Sequence, residues 1–322
     1  MREVVIVCAQ CLGFKDSPLR DTMASSIVVA GVLALDNLKT PKRSEEKIVG
    51  GAGIYSSISS SIFAGTALVA AIGNDFPDRI LDKIKTRGID IESVKELDYP
   101  TFHWSGEYKG DMSQAITHKT DFRINEHYNW EVEEQHKQPD VLLLCNNDPG
   151  IQLTLLEQVK ARVIAMDTMN LWIDIAKEKL DSVVSQVNIL FINDAEAQQY
   201  SNIEDLDKAA LKLLEKGPEF VIIKKGEHGA SLYSKDIAEH LPAFRVDDFV
   251  DPTGAGDSFA GAAMGYLTNK DINVENLVTA MNYGAAVASV TVEGFGTESI
   301  MAVTKNEIDT RFRRLIGGPG RI

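Results

Sequence analysis

Five short, nearly unbroken apolar runs recur along the chain: SIVVAG (26–31), VLLLC (141–145), RVIAMD (162–167), NILFIN (188–193) and FVIIKK (220–225). A strand with one wet face alternates apolar and polar residues; these runs do not, so both of their faces must be covered. The stretches between them, AGIYSSISSSIFAG, LTLLEQV, WIDIAKEKL and DLDKAALKLLEKG, carry helical patterns. Strand–helix alternation of this kind predicts an α/β fold, with a mostly parallel central sheet flanked by helices.

One region departs from that rhythm. From Tyr99 to Arg123 the chain is polar, dotted with aromatics and loosely alternating, with KGD at 109–111. It predicts short antiparallel strands joined by a turn, which, inserted in an α/β core, could act as a lid or a dimer contact. Exposed strand edges need covering, so a homodimer through this lid is expected. Residues 25–316 are predicted to form one α/β domain, with an N-terminal tail at 1–24 outside the fold and a C-terminal tail at 317–322. Met23, directly before the first buried run, stands beside Met1 as a candidate start.

The net charge of −14 argues against nucleic-acid binding, which relies on clustered Lys and Arg. It does not exclude a small anion, because backbone dipoles bind phosphate on acidic proteins too. Cys8, Cys11 and Cys145 make no disulfide framework, and the Cys8–Cys11 spacing lacks the second pair of a zinc site. The apolar N-terminal run is too short to span a membrane and lacks the basic flank of a secretory signal. The chain reads as cytoplasmic, with no membrane partner.

The stretch most informative about chemistry is VDPTGAGDSFAGAA, residues 250–263. Gly254 and Gly256 permit close backbone approach just where an apolar helix begins. The first N–H groups of a helix have no internal partner and lie at the positive end of its dipole, which suits a phosphate. An acid there, Asp257, could merely cap the helix. It would repel a bound phosphate unless its task were to deprotonate an attacking hydroxyl, the arrangement that phosphoryl transfer to an alcohol needs. No Walker A motif and no complete GxGxxG occurs, which sets aside P-loop and dinucleotide enzymes.

The segment Asp251-Pro252-Thr253-Gly254-Ala255-Gly256-Asp257 resembles the C-terminal signature of the ribokinase-like, or PfkB, carbohydrate kinases, DTxGAGD. GGAGIYSSISSSIFAG from Gly50 resembles the N-terminal signature, and Asn193-Asp194-Ala195-Glu196 resembles the NxxE motif. VVAGVLALD resembles the first strand, ending at Asp36, and VIIKKGEHGASLY the strand and turn beside the nucleotide. The matches run in family order from about Ser26 to Thr297.

The resemblance implies an ATP-dependent kinase using Mg²⁺ and, in some members, K⁺, with a small β lid formed by the insert at 99–123 together with a strand near 44–50. Asp257 would be the general base, and the backbone of Gly254, Ala255 and Gly256 the anion hole. Asp36, Gly50, Gly51 and Tyr55 would line the acceptor pocket. Lys224, Gly226 and Asn193 would meet the nucleotide. Glu196, with Asn193, would hold Mg²⁺, and Asp251 and Thr253 would contribute to a monovalent-cation site. Tyr55 stands where ribokinase-type members carry asparagine, which points away from ribose and toward another sugar, a polyol or a nucleoside. Few basic residues lie in the pocket segments, which disfavours a sugar phosphate. Phe102 and Trp104 in the insert could stack on a base or simply pack the lid. A non-catalytic binding protein on the same fold would be expected to lack the base, a glycine or the NxxE acid; all three stand here.

Overall fold

A computed structural model describes residues 26–110, 112 and 115–317. The proposed N-terminal tail, Cys8, Cys11, the choice between Met1 and Met23, and residues 318–322 lie outside the described residues. The described residues build two sheets from fourteen strands. The strands are β1 (Ile27–Ala30), β2 (Ala34–Lys39), β3 (Ser44–Gly50), β4 (Thr66–Gly73), β5 (Ile89–Asp90), β6 (Val94–Leu97), β7 (His103–Tyr108) and β8 (Ala115–Asp121). They continue as β9 (Val141–Leu144), β10 (Val163–Asp167), β11 (Ile189–Asn193), β12 (Phe220–Lys224), β13 (Ala230–Tyr233) and β14 (Ala238–Leu241).

The large sheet runs β14-β13-β12-β11-β10-β9-β1-β4-β5, with β6 also on β4. From β12 to β5 every pairing is parallel, and the β12–β13–β14 edge is antiparallel. Each of the five apolar runs lies in this sheet, so the α/β reading holds. Alternation splits their side chains between two cores. Ile27 and Val29 face one side with the helices Ala52–Ser61, Ala255–Leu267 and Val274–Thr291. Val28 and Ala30 face the other, with the helices Lys177–Val184 and Leu206–Leu214.

Three details differ from the sequence expectation. TALVAAIG, which carried no strand assignment, forms β4 and is buried throughout. WIDIAKEKL holds two helices, Asn170–Ile175 and Lys177–Val184, broken at Ala176 where φ is −136°. The third concerns Asp36. The first strand stops at Ala30, and VLALD does not continue it; Asp36 lies on β2 in the second sheet. The reason is a crossing: Gly31 packs so tightly on the backbone of Gly53 that a Cβ would stand 2.8 Å from it. The chain leaves the large sheet at that crossing and turns.

The second sheet has the order β3-β2-β7-β8. β7 and β8 form the antiparallel hairpin around Gly110, while β2 and β7 pair in parallel. Trp104 folds over Gly106 of its own strand, and its indole N–H donates to Thr117 Oγ1 at 3.0 Å, which is packing within the sheet. The last helix, Lys305–Gly317, includes Gly317, one residue past the expected end of the domain. Among the described residues no helix is long and apolar enough to cross a membrane.

Candidate active site

Two helices place the DPTGAGD turn. Gly261 and Gly265 of the helix Ala255–Leu267 press against Ser56 and Ser60 of the helix Ala52–Ser61, so closely that a Cβ would meet backbone at 2.3 and 2.7 Å. The Ser56 hydroxyl donates to the Asp257 carbonyl at 3.0 Å. At this crossing Gly254 adopts φ 76°, a left-handed conformation natural to glycine, and becomes the N-cap with no side-chain cap. The Ala255 N–H goes to the Pro252 carbonyl at 3.2 Å, whereas the N–H groups of Gly254 and Gly256 donate to no described protein atom. The free donors at this helix start are therefore the two glycines, not the whole Gly-Ala-Gly run.

Beside these donors lies a charged cluster formed at the carboxyl ends of parallel strands, where open α/β sheets bind ligands. Lys224 ends β12 and Asp167 ends β10, and the two form a buried ion pair. The Lys224 ammonium nearly touches Gly256, 3.1 Å from where a Cβ would stand. Burial alone would lower the Lys224 pKa, but Asp167, Glu196 and Asp257 together raise it. Asp257 occupies the first turn of its helix. Its carboxyl is pushed up to about 6, chiefly by burial and then by Asp167, with Lys224 opposing.

Asn193 and Glu196 form a reciprocal capping box. Asn193 Oδ1 accepts from the Glu196 N–H at 2.8 Å, and Glu196 Oε2 accepts from the Asn193 N–H at 3.0 Å. This gives both residues a structural reason to exist at the start of the helix Asp194–Ser201, and it leaves Glu196 Oε1 for other work. Burial pushes the Glu196 carboxyl up to about 7, with Lys224 pulling it down and Asp167 and Asp257 adding to the rise. Burial thus pushes two of the carboxylates clustered on one lysine upward, an environment that a cation would relieve. Among the described residues no three His, Cys, Asp or Glu side chains are grouped as a metal cage. Mg²⁺ rarely needs one, since it keeps most of its waters and takes one or two carboxylates plus substrate phosphates.

The small sheet supplies the opposite wall. Asp36 is buried, its Oδ1 lacks a partner, and its carboxyl is pushed up to about 7 by burial, opposed by the Trp104 N–H and reinforced by Asp251. Gly50 must be glycine here, because a Cβ would stand 2.3 Å from Asp36 Oδ2. Gly51 opens the helix Ala52–Ser61 at φ 95°. Tyr55 is 1% exposed, its ring lies under Gly254 and its hydroxyl has no partner. Burial, then Asp251, Asp36, Asp257 and Tyr108, raise that hydroxyl's pKa well above the usual tyrosine value. Asp251 accepts backbone N–H bonds from Thr253 at 2.9 Å and Gly296 at 2.8 Å. Thr253 Oγ1 is buried without a well-formed hydrogen bond, although Tyr108 and Asp251 both approach its side chain.

Most of the residues singled out in the sequence therefore converge. Gly226, two residues past Lys224, sits in an exposed turn with open space around a would-be Cβ. Two residues of the site were not anticipated. Asp167 was seen only as the last letter of an apolar run, though an acid at the carboxyl end of a parallel strand is itself a signal. Tyr108 comes from the hairpin and faces Thr253, Asp251, Asp257 and Asp36; burial pushes its hydroxyl up to about 12.

Residues 26–304 match the model of the pfkB family carbohydrate kinases. The chain belongs to this family. Among pfkB-type relatives, a cytidine kinase of Thermococcus kodakarensis is 29% identical over 255 residues, covering 76% of this chain and 90% of that protein. A nucleoside kinase of Methanocaldococcus jannaschii is 25% identical over 266 residues, 80% of this chain and 83% of that one. In three dimensions, a putative ribokinase II from E. coli, solved in complex with ATP and Mg²⁺, superposes with a TM-score of 0.73 at 21% identity, covering 90% of this chain and 99% of that one. The ribokinase-like fold, and kinase activity as the class of reaction, follow from pfkB membership.

Proposed function

We propose that this pfkB kinase transfers the γ-phosphoryl group of ATP to a hydroxyl of a sugar or sugar-like small molecule. The observation that carries the reading is the pairing of Asp257 with the unpartnered N–H groups of Gly254 and Gly256, with Lys224 alongside. Asp257 takes the proton of the acceptor hydroxyl as its oxygen bonds to the γ-phosphorus and the bond to the departing ADP oxygen breaks. The glycine N–H groups and the Lys224 ammonium meet the charge on the transferring group. Glu196, with Asn193, would hold Mg²⁺ and its waters; bound there, the ion would neutralise phosphate charge. Asp251 and Thr253 are the residues we assign to a monovalent cation such as K⁺.

On the acceptor side, Asp36 Oδ1 and Tyr55 Oη are buried without partners. Buried polar atoms seek hydrogen bonds, and a polyhydroxylated acceptor offers them. A nucleoside is the second reading, favoured because the relatives described above that span three-quarters or more of this chain are named for nucleosides. ADP release with MgATP, measured against sugars, polyols and nucleosides in parallel with Asp257→Asn, tests both. One stimulating acceptor and a variant slower by about a hundredfold or more supports catalysis. Equal rates for the two proteins would favour a binding protein on a kinase fold.

A further inference from the structure

The turn between β2 and β3 reaches across to the large domain. Arg43 donates two parallel hydrogen bonds to Glu298, Nη1 to Oε2 and Nη2 to Oε1, each 3.0 Å long. Its guanidinium lies over the Phe295 ring, 4.5 Å from the centroid, and its Nε donates to Glu45 at 2.6 Å. Next to it, Lys42 Nζ donates to the Phe249 carbonyl at 2.8 Å. Most exposed ion pairs contribute little, but a bidentate, stacked arginine is the exception. The segments gripped are the two that hold the DPTGAGD turn. Phe249 lies just before it. Between Phe295 and Glu298 lies Gly296, whose N–H donates to Asp251, which in turn holds the Thr253 N–H.

We propose that Arg43 is a positioning residue that clamps the acceptor-bearing sheet onto the phosphoryl-binding turn, so that the γ-phosphoryl goes to the acceptor rather than to water. The proposal rests on the kinase reading. β2 carries both Arg43's turn and Asp36, and β3 packs on the Gly296 loop, with Ile48 Cδ1 3.2 Å from where a Gly296 Cβ would stand. Released at Arg43, the sheet holds Asp36 at no fixed distance from Asp257 and lets water in. Water oxygen then attacks the γ-phosphorus, the bond to the ADP oxygen breaks, and inorganic phosphate, ADP and a proton are released.

The test compares wild type, Arg43→Ala, Arg43→Lys and Glu298→Gln with MgATP and, in turn, cytidine, inosine, D-ribose and D-fructose. ADP and phosphorylated acceptor are both quantified. Hydrogen exchange over 34–50 and 292–298 is followed in the chain without added nucleotide. For Arg43→Ala and Glu298→Gln, the ratio of ADP to phosphorylated acceptor should rise above the wild-type value. The acceptor KM should rise about tenfold, while the MgATP KM stays within about twofold. Both segments should exchange faster, and Arg43→Lys should recover part of each effect. A wild-type ratio, unchanged acceptor KM and unchanged exchange in both truncating variants would overturn the clamp while leaving the kinase reading intact. A wild type that phosphorylates none of the four acceptors would count against the kinase reading and the proposal together.

Discussion

Gly254 lies flat against the ring of Tyr55: a methyl group on its α-carbon would stand 2.4 Å from two ring carbons. Its φ of 76° is also a conformation that alanine adopts only with strain. Gly254→Ala should therefore lose stability by about 1–3 kcal/mol or more in urea unfolding and should raise the KM for MgATP. Unchanged unfolding would mean that the turn relaxes without cost.

Asp257→Asn keeps the shape of the first helical turn and removes the proposed base. It should slow the acceptor reaction by about 10²–10⁴-fold while leaving ATP affinity near wild type. In the wild-type enzyme kcat/KM should rise with pH as Asp257 ionises, through a midpoint near 6. A flat profile between pH 5 and 8 would argue that another group takes the proton.

Glu196→Gln separates the capping box that Glu196 forms from the metal role proposed for it. Glutamine still accepts from the Asn193 N–H, so the capping box survives and stability should stay within about 0.5 kcal/mol of wild type. The Mg²⁺ concentration for half-maximal rate should climb about tenfold or more, as expected when one of a few hard ligands loses its charge. An unchanged Mg²⁺ requirement would remove Glu196 from the metal site.

Stability should fall as pH rises from about 4 to about 7. Asp36 and Glu196 are pushed up to about 7 and Asp257 to about 6. Each binds its proton more tightly in the folded chain than in the unfolded one. The stability this contributes is complete below the ordinary carboxylate pKa and is lost as pH passes the folded value. Carboxylates held low by partners, such as Asp140 beside Arg162, act in the opposite sense and only in more acidic solution. Thermal unfolding across pH 4–8 should show the decline, and Asp36→Asn should flatten it.

Legibility in the sequence followed the range of the interactions. The buried parallel strands and the DPTGAGD turn are written locally, in unbroken apolar runs and in glycines that precede a helix. Asp167 joins the site only because β10 lies two places from β12, an order that no local pattern encodes. Tyr108 meets Thr253 because one sheet folds over another. The apolar run read from the sequence stops at Gly31, and it is the resemblance of VVAGVLALD to the family's first strand that carries that strand on to Asp36; where the strand ends, Gly31 packs on Gly53, more than twenty residues away. The small-sheet strand Ser44–Gly50 lies where the family resemblance put a lid strand, whereas Ala34–Lys39, the strand that carries Asp36, was absorbed into its neighbour.

Asp36 and Tyr108 ride on one sheet, while Asp257, Lys224 and Glu196 belong to the other layer system. On the proposed reading, acceptor recognition and phosphoryl transfer are divided between two sheets. Substitutions on the small sheet would then change which molecule is recognised while the residues assigned to the nucleotide stay as they are, and new acceptor preferences would arise on this scaffold without rebuilding its chemistry.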